Sequence, residues 1–261
     1  MIYVCIPSRN EATTLGPLLW KVQKVFRAFG REFKLVVLDD GSEDETPEVL
    51  KRYEGKLPLE VLRNSTPEGY GASVDRLLRH VAQEAAYPKR DAAVVLQADL
   101  TEDPAEIVSL VKTLEGGADV VAAEAALTSP QAPSPRVWGR RLAPWVLGSA
   151  YRNAPAADPL SGLRAYRLIV IKKALRSDDR ALSRGAHPWV ANLELLHRVS
   201  GFARRIEDVP STPRYERQVR ETRFKVVPIL KDLFRHRRLT WDADALPDDR
   251  KDGQQKKDRA A

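Results

Sequence analysis

The chain has 261 residues, 43% hydrophobic and 30% charged, enough to bury one large core or two small ones and too apolar to be disordered throughout. Its 43 lysines and arginines against 36 aspartates and glutamates leave a net charge of +7, and arginines crowd residues 204–238, which suits either an anionic partner or a solvated basic face. The single cysteine, Cys5, excludes an intramolecular disulfide, a multi-thiolate zinc cluster and a dithiol redox pair, and no apolar run reaches the roughly 20 residues of a transmembrane helix.

Met1-Ile2-Tyr3-Val4-Cys5 lacks a basic leader region and is expected to enter a first strand, Ile2–Ile6. That strand exits into Pro7-Ser8-Arg9-Asn10-Glu11. Leu15, Leu18, Leu19, Val22, Val25, Phe26 and Phe29 recur at spacings of three and four, predicting a helix with one apolar face. Lys34–Leu38 reads as a second strand, running into Asp39-Asp40-Gly41-Ser42-Glu43-Asp44, and Leu59–Leu62 as a third. Glu68-Gly69-Tyr70-Gly71-Ala72-Ser73 opens a second helical pattern; its glycine pair is either a tight turn or a place where backbone N–H groups approach a phosphate. A fourth strand, Ala92–Leu96, runs into Gln97-Ala98-Asp99-Leu100-Thr101. Asp103 is placed as an N-cap, with Pro104 at the first helical position, and Gly116-Gly117 ends that helix before a fifth strand, Asp119–Ala123. The strands are rich in Val and Ile and do not alternate with polar residues, the pattern of a parallel sheet covered on both faces. A doubly wound α/β layer is expected through about residue 125.

Residues 128–136 form a proline-rich connector or mobile loop. Residues 137–152 and 189–200 read as helices, and 163–170 as a strand or the edge of a helix. Val226, Val227, Leu230, Leu233 and Phe234 share a helical face bordered by Lys225, Lys231, Arg235, Arg237 and Arg238. Such a basic amphipathic helix suits a membrane surface, or else packs on the domain. After Trp241 almost no apolar residue remains, and a disordered tail is expected.

Ligands of open parallel sheets bind beyond the carboxyl ends of the strands. The first, second and fourth strands bring acids to that rim, and clustered acids repel one another unless they meet a cation or hydrogen-bond donors. Glu11, Asp44 and Asp103 read as caps or first-turn acids. Neither Gly-x-Gly-x-x-Gly after the first strand nor a P-loop is present, which argues against a dinucleotide fold or a P-loop nucleotidase.

Pro7-Ser8-Arg9-Asn10-Glu11 resembles the P-x-x-N-E opening of family 2 glycosyltransferases of the GT-A fold. Leu38-Asp39-Asp40-Gly41-Ser42-Glu43-Asp44-Glu45-Thr46 is similar to their V-D-D-G-S-x-D-x-T segment, and Gln97-Ala98-Asp99 falls where they keep a D-x-D metal motif. Asp158-Pro159-Leu160-Ser161-Gly162-Leu163-Arg164, Asn192-Leu193-Glu194-Leu195-Leu196 and the stretch from Val209-Pro210 through Arg217 to Thr222-Arg223 resemble the polyprenyl-phosphate (dolichyl-phosphate-mannose-synthase-like) branch. The resemblance implies a GT-A domain over residues 1–238, with a nucleotide-binding half at 1–125, an acceptor-binding half at 137–238 and a tail at 239–261. The implied fold is a mostly parallel sheet flanked by helices, with the amphipathic helix at its C-terminal end. The implied reaction moves a sugar, with inversion, from a GDP- or UDP-sugar to polyprenyl phosphate.

By the same resemblance, Pro7, Arg9, Glu11, Asp39, Asp40, Gly41, Gln97 and Ala98 would bind the nucleotide. Asp99 and Gln97 would hold Mg2+ or Mn2+, a hard cation suited to oxygen ligands. Asp158, with Asp99, would be catalytic, as general base toward a hydroxyl acceptor or as an orienting group toward a phosphate. Arg140, Arg141, Ser161, Gly162, Arg217 and Arg223 would bind the acceptor, guanidinium forks matching phosphate oxygens. The chain departs from the pattern at Gln97 in place of the first aspartate, at Thr101, at a lysine missing between Arg63 and Gly69, and at Thr222-Arg223 in place of Ser-Lys. Two alternatives follow: transfer to a saccharide or soluble hydroxyl, and a degenerate nucleotide-binding protein without turnover. Nucleic acid ranks last as a partner, because it leaves the acidic strand ends unexplained. The expected location is cytoplasmic, with peripheral contact on the inner face of a membrane.

Overall fold

A computed structural model describes residues 1–125, 134–177, 182, 187–215 and 226–241. Seven strands form one sheet: β1 (Ile2–Ser8), β2 (Phe33–Asp40), β3 (Leu59–Asn64), β4 (Ala92–Val95), β5 (Val120–Ala125), β6 (Arg164–Arg167) and β7 (Ile206–Ser211). Their order across the sheet is β3-β2-β1-β4-β6-β5-β7. β1 pairs in parallel with β2 and β4, β2 with β3, and β5 with β7; β6 alone runs antiparallel, between β4 and β5. The β1–β2 register sets Ile6 against Val37 and Ser8 against Asp39, so the two polar exits emerge side by side.

Both faces of the strands are apolar, and each takes alternate residues. Ile2, Val4, Ile6, Leu35 and Val37 face α1 (Ala12–Phe29) and α4 (Ile107–Glu115) in one core. Tyr3, Cys5, Val36, Leu38 and Val95 face α3 (Tyr70–Glu84), α7 (Leu168–Ser177) and α8 (Pro188–Ser200) in another. The expected helix faces explain this arrangement: Leu15, Leu18, Leu19 and Val22 of α1, and Val74, Leu77, Leu78 and Val81 of α3, are all buried. The Asp103 carboxylate accepts from the Ala105 N–H at 3.1 Å and starts a 3-10 turn, Pro104–Glu106, which leads into α4 as the capping pattern predicts.

Other elements carry weaker sequence signals. α2 (Thr46–Tyr53) buries only Thr46 and Leu50, too few for a periodic stripe. Residues 163–170 divide into β6 followed directly by α7. The expected 137–152 helix is two pieces, α5 (Ser134–Leu147) and α6 (Ser149–Arg152), broken at Gly148. α5 begins inside the proline-rich connector; residues 126–133 lie outside the described residues, as do 242–261 of the expected tail.

A third core joins α5, α8 and α9 (Val226–Arg235) through Ala143, Leu147, Trp189, Leu193, Ile229 and Leu233. Leu239 and Trp241 also pack there, and the Trp241 indole donates to the Ala150 carbonyl at 2.8 Å. These two residues lie beyond the domain bound expected at 238, yet they pack on the domain; the segment after Trp241 lies outside the described residues. No helix among the described residues is long and apolar enough to cross a membrane.

His236 ties the end of α9 to α8. Its Nε2 lies 3.0 Å from Glu194 Oε1 and its Nδ1 2.9 Å from the Asp232 carbonyl, both acceptors, so the imidazolium satisfies both. The hydrogen bond to Glu194 raises the His236 pKa above its ordinary value, more than burial lowers it. A raised histidine pKa stabilises the folded state fully below the unfolded value of about 6.5 and loses that contribution as pH rises through the folded pKa. Amide exchange in α9 is therefore expected to accelerate as pH rises from 6 through the raised pKa, after correction for intrinsic exchange, and His236→Gln is expected to abolish that dependence.

Candidate active site

The β1 and β2 exits lock together. The Asn10 N–H donates to Ser42 Oγ at 2.9 Å, and Asn10 Oδ1 accepts from the Glu43 N–H at 2.8 Å. The Glu11 N–H donates to Thr46 Oγ1 at 2.9 Å, and Asp44 accepts from the Ala12 and Thr46 N–H groups at 3.1 and 2.9 Å. Burial pushes the Asp44 pKa up, but the bonds from Thr46 and Ala12 outweigh it and hold the carboxyl below its usual value. Asp44 is thus a cap, as read from the sequence. Asp39 accepts from the Ser42 N–H at 3.2 Å and braces the turn at Gly41, which has φ of 61°. A Cβ at Gly41 would lie 3.0 Å from the Pro67 ring, so only glycine fits both the angle and the space.

Asp40 has a definite structural role. Its carboxylate accepts from Asn64 Nδ2 at 2.6 Å and from the Glu68 and Gly69 N–H groups at 2.8 Å each. Those two N–H groups are therefore committed to Asp40, which staples the turn before α3 to β2.

A cleft of about 290 Å3 opens at the ends of β1, β2 and β4. Pro7, Arg9, Glu11, Asp40, Gln97, Ala98 and Asp99 all line it, so the structure brings these expected residues together. Asp39 and Gly41 shape the adjoining turn and do not line the cleft. Asp99 Oδ1 accepts from the Thr101 N–H at 3.1 Å and its hydroxyl at 2.6 Å, which holds Leu100 at a left-handed φ of 63°. The donors facing this cleft are oxygens, with neither thiolate nor imidazole among its lining residues. Asp99, with the Gln97 side-chain carbonyl, is of a chemistry that would suit a hard divalent cation.

Beyond Gln97 and Pro188, which border both spaces, lies an inner compartment of about 70 Å3. Arg140, Ser161, Gly162, Glu102 and Trp189 line it. Asp158 is buried behind Arg140, whose guanidinium bonds its carboxylate and lies over the Trp189 ring at 5.6 Å from the centroid. The Leu160 N–H takes the other carboxylate oxygen at 3.1 Å. Burial alone would lower the Arg140 pKa, but the charge and hydrogen bond of Asp158, with smaller contributions from Tyr215 and Tyr151, together raise it. Arg140 Nε is buried without a hydrogen-bond partner among the described residues.

Gly162 marks the tightest point. A Cβ there would meet Gln97 Nε2 at 2.9 Å, Tyr70 Oη at 3.1 Å and Asn192 Nδ2 at 3.3 Å. Asn192 accepts from the Tyr70 hydroxyl at 3.0 Å and donates to the Leu160 carbonyl at 3.1 Å, so its amide has little freedom to retreat. Gly162→Ala is expected to cost about 1–3 kcal/mol of stability through overpacking and to lower donor affinity by displacing Gln97. Denaturant unfolding and nucleotide titration of the variant check both.

The sequence gives several site residues no structural role. Arg164 is wholly buried and donates to the Asn192, Pro159 and Asp158 carbonyls; its signal was a charge inside an apolar run. Glu102 accepts from the Gln97 N–H at 2.8 Å, and burial, with the charges of Asp99 and Glu106 opposing the bonds from Gln97, pushes its pKa up to about 8. Tyr70, Asn192, His187 and Trp189 come together only through folding. Arg141 is exposed and lines neither space, so the structure does not bring it to Arg140's side of α5. Arg217 and Arg223 lie outside the described residues. Toward the other end of β3, Glu60, His80 and Glu84 place ligand atoms within 4.8 Å of one another, but Lys34 Nζ already sits 2.7 and 2.9 Å from the two glutamates and supplies a cation there.

The family model described as glycosyl transferase family 2 matches residues 3–171. An undecaprenyl-phosphate 4-deoxy-4-formamido-L-arabinose transferase of Edwardsiella ictaluri is 29% identical over 237 residues, covering 89% of this chain and 66% of that protein. Its counterpart from Pseudomonas aeruginosa is 29% identical over 241 residues, covering 90% and 63%. The chain thus spans just under two thirds of the length of these relatives. Among solved structures, TarS of S. aureus in complex with UDP-GlcNAc superposes with a TM-score of 0.58 at 18% identity, over 96% of this chain and 69% of that one. Glucosyl-3-phosphoglycerate synthase from Mycobacterium tuberculosis, in complex with Mn2+ and UDP-glucose, gives 0.57 at 21%, over 90% and 75%. At these identities the likeness establishes the fold, the GT-A arrangement expected from the sequence.

Proposed function

The chain belongs to glycosyl transferase family 2, and on that premise we propose that it moves a sugar, with inversion, from a GDP- or UDP-sugar to polyprenyl phosphate. The observation that carries the acceptor choice is the buried Arg140–Asp158 pair. A general base needs a carboxylate open to the proton it takes. Both oxygens of Asp158 are engaged, one by Arg140 and one by the Leu160 N–H. A phosphate acceptor is already ionised and needs no base, but it does need a cation. Arg140, with a buried Nε still to be satisfied, suits that task. Asp158 is then a positioning residue that holds the guanidinium, and Ser161 and Gly162 shape the space beside it. The printed acceptor of the relatives, undecaprenyl phosphate, agrees with this reading.

In this scheme the nucleotide lies along Pro7, Arg9, Glu11 and Gln97, with its diphosphate toward Asp99. An acceptor phosphate oxygen attacks the anomeric carbon from the inner compartment, the bond to the diphosphate breaks, and the nucleoside diphosphate departs. Asp99 and Gln97 would hold Mg2+ or Mn2+, which when bound supplies positive charge against the leaving diphosphate. The proposed place of work is the cytoplasmic surface of a membrane, reached peripherally. Labelled GDP- and UDP-sugars incubated with undecaprenyl phosphate, with Mn2+, Mg2+ or chelator, test the proposal. Label is expected in the lipid phosphate with one nucleotide and a divalent ion. Label in a soluble saccharide instead would overturn the acceptor assignment, and donor binding without transfer to any acceptor would favour a protein that has lost turnover.

A further inference from the structure

We propose that the outer face of α5, with that of α9 beside it, docks the protein on an anionic lipid surface. α5 buries Gly139, Ala143 and Leu147 toward the third core. The opposite side of the same helix should be polar in a protein surrounded by water. Instead it carries Trp138, Leu142 and Trp145, at spacings of four and three, exposed by 60%, 39% and 86%. α9 repeats the pattern: Ile229 and Leu233 are buried, while Val227 and Phe234 are 65% and 49% exposed. The remaining large exposed hydrophobic side chains among the described residues, Met1, Trp20, Tyr87 and Phe202, sit singly on other elements.

Charge decides the kind of partner. Arg141 shares the exposed side of α5, and Lys231, Arg235, Arg237 and Arg238 are exposed along α9 and its end. The one acid of α9, Asp232, is paired with Arg235 at 3.0 Å. Arg237 lies over the Phe234 ring at 3.9 Å, so cation and aromatic form one amphipathic unit. A contact between protein copies tends to exclude lysine and concentrate apolar residues at its centre. Tryptophan mixed with Lys and Arg on adjoining helices is instead the composition of a bilayer interface, where indoles lie at headgroup depth and the cations meet anionic lipids. The geometry gives the contact a use. Arg140, on the other side of α5, lines the inner compartment, so a docked α5 holds the acceptor side of the cleft near the lipid. That use rests on the transferase reading; the docking itself rests only on residues outside the cleft.

The test is co-sedimentation of the full chain with phosphatidylcholine vesicles, with and without phosphatidylglycerol. The chain is expected to bind the anionic vesicles selectively, and binding is expected to fall with salt. Trp138→Ser combined with Trp145→Ser should weaken binding by about tenfold or more. Lys231→Glu, an exposed substitution far less able to disturb folding, should weaken binding to the anionic vesicles only. Both variants should keep wild-type nucleotide binding, so loss of docking is distinguished from loss of the cleft, and vesicle binding requires no turnover. Wild-type protein that ignores anionic vesicles, or variants that bind as wild type, would overturn the proposal. So would self-association of the wild type that the tryptophan substitutions abolish, since the face would then join two copies of the chain.

Discussion

Asp99→Asn is expected to retain the fold and to lose sugar transfer by roughly 10²–10³-fold, the scale of several kcal/mol of charge stabilisation at a leaving group. The reason lies in how Asp99 is held. One of its oxygens accepts from both the N–H and the hydroxyl of Thr101. An asparagine carbonyl can accept the same two bonds, so the turn at Leu100 survives while the charge disappears. Thermal unfolding should therefore stay close to wild type, whereas Mn2+ affinity and transfer fall together. Gln97→Asp is the complementary change: it restores a second carboxylate to the motif and is expected to tighten metal binding. It also adds charge next to the buried Glu102, whose pKa burial already pushes up. If Asp99→Asn were to bind Mn2+ and transfer sugar as well as wild type, the ion would have to sit elsewhere and the assignment of the cleft would be wrong.

Arg164→Met is expected to destabilise the protein by about 3–5 kcal/mol, because a buried set of acceptors loses its donor. The guanidinium is wholly buried and bonds the Asn192 carbonyl at 2.6 Å, the Pro159 carbonyl at 2.6 Å and the Asp158 carbonyl at 3.3 Å. It thereby ties α8 to the loop that carries Asp158, Ser161 and Gly162. Methionine matches the length but leaves these carbonyls facing apolar surroundings, a large loss for a domain whose whole stability is about 5–15 kcal/mol. Urea unfolding measures the change directly. A loss below about 1 kcal/mol would mean that water replaces the guanidinium at little cost. Arg164→Lys should fall between the two, since an ammonium donates but cannot span α8 and the loop as a planar fork.

The parallel layer was legible because its signals are local. Apolar runs such as Ile2–Ile6 and the spaced leucines of α1 and α3 report burial by their own periodicity. The motif segments were legible too, but for two reasons that the sequence could not separate. In the β1 and β2 exits, Asn10, Ser42, Asp44 and Thr46 hold one loop against the other, whereas Arg9 and Glu11 face the cleft. Asp40 does both: it lines the cleft and staples the Glu68-Gly69 turn. β7 and α2 were missed because each draws its stability from neighbours: β7 from pairing with β5 residues 86 positions earlier in the chain, α2 from packing against α1.

By itself the sequence determined the α/β class, the family resemblance and the acids and amides at the strand ends, because each depends on residue type at short spacing. Only the tertiary structure decided that Asp158 is bound to Arg140, that Arg164 is a buried brace rather than a surface cation, and that Arg141 turns away from the compartment Arg140 enters. It also decided which side of α5 meets the core, leaving Trp138 and Trp145 outside. Partners of a long polar side chain lie anywhere the fold brings them, 18 residues away for Arg140 and 28 for Arg164. No local pattern encodes such pairings, since only the packing of the whole chain sets the distance between them.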